Sequence, residues 1–258
     1  MTTRADYRPD PRPDRYDEIG LTYTATRRAD PRIEAQIRDA LGDRTPVLNV
    51  GAGTGSYEAA AAGEVIAVEP SAEMIARRPP GSAPVLRACA EDLPLESDSV
   101  AAALAVLTLH HWTDWRAGLA EVRRVTRERI VLLTHAFVGE RFWLLDYFPD
   151  IPAIDDGRMP RLDEIGVELP GARVETVPIP KDCEDGFLCA WWARPAAYLD
   201  PIVRDGISCF PGMRDVDLHA AKLAADLESG AWQRRYGDLL ARASMDYGYR
   251  LVVWDHPS

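Results

Sequence analysis

Val47-Leu-Asn-Val-Gly51-Ala-Gly53-Thr-Gly55 joins an apolar run of strand length to three glycines in alternate positions. Glycine lets the chain turn sharply and lets a ligand approach the backbone. Ligands of open α/β sheets bind outside the carboxyl ends of the strands, which is where this loop falls. The spacing separates cofactor classes. A dinucleotide loop reads GxGxxG, its third glycine allowing close helix packing. Here the third glycine comes one position early and Ser56 holds its place, so a nicotinamide-dependent oxidoreductase is disfavoured. No GxxxxGK[ST] phosphate loop occurs either. The plain alternative is a strand-to-helix turn that needs flexible residues.

Upstream, Asp30 can cap a helix that Pro31 opens, with Ile33, Ile37 and Leu41 recurring every four residues and Gly42 ending it. Downstream, short apolar runs alternate with helical stretches. The pattern predicts strands over 47–50, 65–68, 84–87, 100–107 and 130–134. Helices are expected over 56–62 and 71–78, with a third presenting Trp115, Leu119, Val122 and Thr126 on one face. Such alternation implies a parallel sheet with right-handed crossovers. After 136 the rhythm breaks. Two more strands are expected over 173–179 and 249–254, separated by a helical piece in which Val216, Ala220, Leu223 and Leu227 are periodic.

The expected organisation is a mobile arm over 1–14, a cofactor-binding core over 15–136, a lid insertion over 137–172 and a sixth strand over 173–180. A helical cap insertion over 181–247 and a seventh strand over 248–258 complete it. The fold class is therefore α/β, a doubly wound, mostly parallel, seven-stranded Rossmann-like sheet with a helical cap inserted after strands 5 and 6. The lid is expected to order further when ligand binds.

Composition narrows the partners. The net charge is −11, and only two of the 30 basic residues are lysines, with no basic run, which speaks against nucleic acid. No apolar run is long enough for a membrane span and the N-terminus carries no apolar signal, so a cytoplasmic location is expected. The four cysteines form no CxxC pair, and no metal site is expected.

A second piece of the site is Glu69, in Val68-Glu69-Pro70-Ser71, 18 positions after Gly51. An acid at the end of the second strand can accept both hydroxyls of a ribose. Two further segments lie in order behind it, Ala90-Glu-Asp-Leu-Pro-Leu95 and Val106-Leu-Thr-Leu-His-His-Trp112. With Asn49-Val-Gly-Ala-Gly-Thr-Gly55 and Val68-Glu-Pro-Ser-Ala-Glu-Met74 they resemble the class I S-adenosylmethionine-dependent methyltransferases, in the ubiquinone/menaquinone-biosynthesis branch. The resemblance covers about residues 30–136 well and the rest in outline. It implies that Asn49, Gly51, Ala52, Gly53, Thr54 and Gly55 face the methionine and ribose of S-adenosylmethionine and that Glu69 binds the ribose diol. By the same resemblance Pro70 and Met74 flank the adenine, Ala90, Glu91 and Asp92 meet its edge, and the backbone at Leu107 receives the ammonium group. Tyr23 and Arg27 are placed to close over the pocket, an arginine there pairing the methionine carboxylate, or else they belong to a solvated helix start. Two positions depart from the family pattern. Asn49 stands where an acid is usual, which removes a charge, and Cys89 stands where an aspartate is frequent.

The acceptor leaves weaker signs. Residues 31–136 hold three aromatic side chains and 137–249 hold fourteen, which fits an apolar or ring-containing small molecule, or a cap that needs bulk for its own core. Residues 137–247 carry 20 acids against 12 bases, which fits a neutral or amine-bearing acceptor or a solvated face. His110, His111 and His135 follow the fourth and fifth strands and can take a proton, although a histidine at a strand end is as readily structural. His110 and His111, being adjacent, are expected to point in different directions, His111 toward the acceptor. The expected function is methylation of O, N or C on a small molecule, plausible in secondary metabolism, by a monomer or homodimer. The alternative is a non-methylating cofactor-binding protein of the same fold, such as a cyclase or an interaction module.

Overall fold

The computed structural model describes residues 27–136, 138–155 and 159–257, so the expected arm over 1–14 and Tyr23 lie outside the described residues. Helix α1 (Pro31–Leu41) begins and ends on its sequence signals. Asp30 accepts from the Arg32 N–H at 3.0 Å, and Gly42 donates to the Arg38 carbonyl at 2.9 Å. Its stripe of Ile33, Ile37 and Leu41 is buried. The transfer free energy of that stripe is on the order of 5–9 kcal/mol, an upper bound on what it contributes.

The strands are β1 (Val47–Val50), β2 (Val65–Val68), β3 (Val85–Leu86), β4 (Val100–Val106), β5 (Thr126–His135), β6 (Arg173–Thr176), β7 (Ile179–Pro180), β8 (Ser244–Met245) and β9 (Tyr249–Asp255). Seven of them form one sheet in the order β3-β2-β1-β4-β5-β9-β6. All neighbours through β5 are parallel, and β9 runs antiparallel to both β5 and β6. The chain winds one way from β1 to β3 and the other way from β4, so the tips of β1 and β4 form the topological switch point where such sheets bind ligands.

Alternate residues feed two cores. Val47, Leu104, Val131, Leu133, Leu251 and Val253 face α1 and the aromatic side chains of the segments after β5. Leu48, Val50, Ala103, Ile130, Leu132 and Trp254 face the other way, against Leu119, Val122 and Val125 of α3 (Trp115–Val125) and Ile165 of α5 (Leu162–Glu168). Between α1 and α3 runs the short α2 (Ala72–Ala76), capped by Ser71, whose Oγ accepts from the Met74 N–H at 3.2 Å. The chain after β5 carries α4 (Ile151–Asp155) and α5. After β6 come α6 (Pro201–Asp205), α7 (Val216–Glu228) and α8 (Ala231–Tyr236). Trp143, Trp192 and Trp232 are fully buried there, and Trp143 Nε1 donates to the Trp192 carbonyl at 2.8 Å.

Four local expectations change. The helix expected over 56–62 is a single 3-10 turn, Glu58–Ala60, because Tyr57 at φ 65° breaks the helical path. The fourth strand ends at Val106 because Leu107 takes φ 50°. Thr126 opens β5, which passes from α3 without a loop, instead of closing the helix. The sixth strand stops at Thr176, and Ile179–Pro180 pairs with Ser244–Met245 in a separate two-stranded sheet. Pro178 explains that break, since it has no N–H for the ladder. No helix among the described residues is long and apolar enough to cross a membrane.

The join of β5 to β9 depends on Gly248. At φ 90° its missing Cβ would lie 2.1 Å from the Ala136 carbonyl oxygen and 2.6 Å from that of Val138. Those neighbours are backbone and cannot rotate away. Gly248→Ala is expected to destabilise the protein by at least about 3 kcal/mol. Urea unfolding followed by circular dichroism measures this, and a midpoint equal to the parent's refutes it.

Candidate active site

The switch point is assembled from two strand tips in contact. Gly51, at φ 67°, leaves β1 directly under Thr108, and a Cβ there would sit 2.1 Å from Thr108 Oγ1. Only glycine permits this approach. The Gly51 and Ala52 N–H groups both donate to the Val68 carbonyl, at 2.9 and 3.0 Å, which draws the loop toward the end of β2. There Glu69, 6% exposed, accepts from the Gly53 N–H at 2.8 Å and from the Ser71 N–H at 3.0 Å. Met74 is buried against Gly53, Pro70 is half-buried beside it, and Thr54 and Gly55 are half-buried at the loop's crest. The glycine loop, Glu69, Pro70 and Met74 are thus brought together.

The edge formed by 89–92 is more dispersed. Ala90 is buried, Glu91 accepts the Asp114 N–H at 3.0 Å at the entrance to α3, and Asp92 is exposed. Asn49 is 2% exposed and donates from Nδ2 to Glu58 Oε1 at 3.2 Å.

At the tip of β4, Leu107 adopts a left-handed conformation while its N–H donates to the Leu133 carbonyl at 2.8 Å. A non-glycine residue held so costs of order 1–3 kcal/mol, and such strain concentrates at functional sites. The 3-10 turn Leu109–His111 follows. It overturns the expectation that the two histidines diverge, since their rings lie 3.8 Å apart. Successive side chains diverge less around a helical turn than across an extended strand, and both rings reach one cavity. Trp112 secures the turn by packing on Gly118, where a Cβ would be 2.4 Å from its ring, and by donating from Nε1 to Thr108 Oγ1 at 3.3 Å.

That cavity encloses about 570 Å³ including its open mouth. Arg27, Leu107, His110, His111 and His135 line it together with Met159, Phe187, Leu188, Ile207, Cys209 and Tyr249. His135 Nε2 is 3.0 Å from the Tyr247 carbonyl, so this nitrogen carries the proton and donates it. Burial, aided by the Arg250 charge, pushes His135 down to about 4 against the opposing pull of that hydrogen bond. It is therefore neutral near pH 7. Arg27 is paired with Asp185, with Nε at 2.6 Å and Nη2 at 3.4 Å, and the Tyr57 hydroxyl donates to the same carboxylate at 2.9 Å.

The sequence reading did not single out Tyr57, Asp185, Thr108, Phe187 or Tyr249. Only Tyr57 carried a local signal, as the first large side chain after the glycine loop. No group of three or more His, Cys, Asp or Glu able to hold a metal gathers among the described residues.

These residues fit S-adenosylmethionine. A buried carboxylate at the tip of β2 has the acceptor capacity for a ribose diol beside its two backbone donors. The loop it touches is one in which Gly51 leaves no room for a side chain and Gly53 holds a positive φ that favours glycine. The comparisons agree. A methyltransferase domain family model matches residues 48–133. A solved structure from Anabaena variabilis, described as a methyltransferase from an antibiotic biosynthesis pathway, is 33% identical with a TM-score of 0.82, over 88% of this chain and 98% of that one. The YcgJ protein of Bacillus subtilis shares the fold at 18% identity and a TM-score of 0.50, over 94% and 99%. The [4+2]-cyclase SpnF shares it at 14% and 0.54, over 88% and 81%. No curated protein matches. With a third of its residues shared over almost the whole of a solved methyltransferase, the chain belongs to the class I S-adenosylmethionine-dependent methyltransferases.

Proposed function

We propose that this enzyme methylates a hydroxyl oxygen of a small, largely apolar, ring-containing molecule in the cavity beyond Leu107. The lining of that cavity carries the reading. Three of the chain's five histidines and Arg27 meet Phe187, Ile207 and Tyr249 there, with no carboxylate among the described lining residues. Imidazoles can take the proton of a hydroxyl, and apolar walls suit a ring. No lining carboxylate among the described residues is left to pair an acceptor ammonium, since the nearby Asp185 carboxylate is held by Arg27 and Tyr57. The described relative from an antibiotic pathway supports a secondary metabolite as acceptor. The ubiquinone/menaquinone branch, a cytoplasmic location and a monomer or homodimer complete the proposal.

Bound S-adenosylmethionine supplies a methyl carbon activated by its positive sulfur. The chain's own residues seat and orient the reactants. The backbone from Gly51 through Ala52, Gly53 and Thr54 to Gly55 holds the methionine and ribose, with Asn49 beneath the loop donating to Glu58 and Glu69 accepting the ribose hydroxyls. Pro70 and Met74 flank the adenine, and Ala90, Glu91 and Asp92 border it. The Leu107 backbone takes the ammonium, and Tyr23 and Arg27 close over the pocket. His111, its ring tilted against that of His110, removes the acceptor proton as the C–O bond forms. His135 is a poor base, since a group fixed near 4 binds a proton weakly at neutral pH. The insertions over 137–172 and 181–247 act as lid and cap, Met159 reaching the cavity from the former.

Glu69→Ala is expected to weaken S-adenosylhomocysteine binding by roughly 10- to 150-fold, the equivalent of losing about 1.5–3 kcal/mol, with the fold retained. Titration calorimetry with an unchanged dissociation constant removes Glu69 from the site.

With a ring-bearing hydroxyl acceptor, His111→Ala is expected to cut single-turnover methyl transfer by about 10²- to 10⁴-fold while leaving cofactor affinity nearly unchanged. Full activity in that variant assigns the proton to another group.

His135 makes stability depend on pH. Its folded value, about 4, lies below the unfolded value near 6.5, so the unfolded chain takes the proton first as pH falls. Its contribution is intact above pH 6.5 and is lost progressively down to pH 4, amounting to about 2–3 kcal/mol by pH 4.5. His135→Gln is expected to flatten the urea-unfolding midpoint between pH 7 and 4.5, and a slope matching the parent's refutes this.

A further inference from the structure

Gly53 is gripped from both sides. Its N–H donates to Glu69, and its carbonyl accepts from Arg78 Nη1 at 3.2 Å. Arg78 also holds Glu58, with Nη2 at 2.7 and 2.8 Å from the two carboxylate oxygens, and donates to the Ala83 carbonyl at 3.2 Å. The two side chains are 5% and 11% exposed, so little water screens them. Glu58 in turn accepts from Asn49 Nδ2. Gly55 lies directly over the pair, since a Cβ there would come within 3.2 Å of Glu58 Oε2 and 3.4 Å of Arg78 Nη1.

We infer that Glu58 and Arg78 are positioning residues for the cofactor loop, and that position 49 must therefore present a hydrogen-bond donor and not an acid. The inference rests on the reading of the glycine loop as the cofactor's seat. One guanidinium joins the glycine loop, the 3-10 turn after it and the chain before β3, so the loop's shape is fixed by a buried ion pair beneath it. Asn49 completes that pair by giving Glu58 an N–H. An aspartate in place of Asn49 would set a second carboxylate about where Nδ2 stands, 3.2 Å from Glu58, in surroundings where like charges repel strongly. The charge it adds would push Glu58 off Arg78 and release the Gly53 carbonyl. The simpler expectation, that an acid at this position strengthens binding of the ammonium end, runs in the opposite direction.

The test is S-adenosylhomocysteine binding by calorimetry at pH 8, which needs no acceptor, with melting of the ligand-free proteins alongside. Asn49→Asp is expected to weaken binding about tenfold or more, and Glu58→Gln alone several-fold because Arg78 loses its partner. The double variant Asn49→Asp/Glu58→Gln again holds one acid and one arginine, with the introduced amide donating to the introduced carboxylate. It is expected to bind within about threefold of the parent. An Asn49→Asp protein that binds as tightly as the parent or tighter overturns the inference. Losses that simply add in the double variant also overturn it, as do losses that follow melting temperature alone in every variant. A parent protein that does not bind S-adenosylhomocysteine refutes the cofactor-loop reading itself, a different result from any of these.

Discussion

Asp185 has no exposed surface, and removing a carboxylate from water costs several kcal/mol. Three donors offset that cost: the Arg27 guanidinium, the Tyr57 hydroxyl and the Gly186 N–H, the last at 2.7 Å. They come from the segment before α1, the turn after the glycine loop and the chain beyond β7. Each therefore has its place dictated by the same buried charge, and losing any one leaves the others around an under-compensated carboxylate. A second buried carboxylate lies alongside. Asp30 accepts the Glu184 N–H at 3.0 Å, and its own N–H donates to the Tyr57 hydroxyl at 3.4 Å. Although burial opposes it, the bonds from Arg32 and Glu184 hold the Asp30 carboxyl down to about 2. The loop at 182–186 is thereby tied to both the first helix and the cofactor loop, and the cavity wall at Phe187 follows from where that loop ends.

The same junction accounts for a strained backbone. Tyr57 is left-handed and 1% exposed, an arrangement that costs energy unless surrounding contacts over-determine it. Its hydroxyl bonds to Asp185 and Asp30 supply that determination. Leu107, the other left-handed residue at the site, is anchored by its N–H to β5. Both sit where the chain leaves the sheet and must turn across the site instead of continuing a strand or helix.

What the sequence revealed and what it hid follow from the range of the interactions involved. The first helix was legible in full because Asp30, Pro31 and Gly42 act on their immediate neighbours. The strands around the switch point were legible because burial on both faces makes them apolar throughout. The turn at 58–60 was not, because an alanine-rich stretch favours helix locally. What prevents it is Tyr57, whose partner lies 128 positions away. Asn49 read as a lost charge for the same reason: Glu58 and Arg78, which give it a purpose, are brought to it by the fold. The histidine pair was misjudged in direction, since nothing local distinguishes a 3-10 turn from a loop there.

Net charge is the clearest case of a composition that misleads about a site. Residues 137–247 are strongly acidic, yet their acids are committed elsewhere. Asp146 pairs with Arg141 and Arg235, Glu140 with Arg242, and Asp182 with Arg32, all at partly or largely exposed positions. Exposed pairs of this kind contribute little to stability and are screened by salt. The groups turned inward are of a different character, an arginine with its carboxylate partner and three imidazoles among apolar walls. Inside a cavity the dielectric is lower, and each charge acts with greater strength than the solvated, screened excess outside. The field inside the cavity is therefore set by Arg27 and its carboxylate Asp185, whose burial organises the site, and not by the acidic excess of residues 137–247.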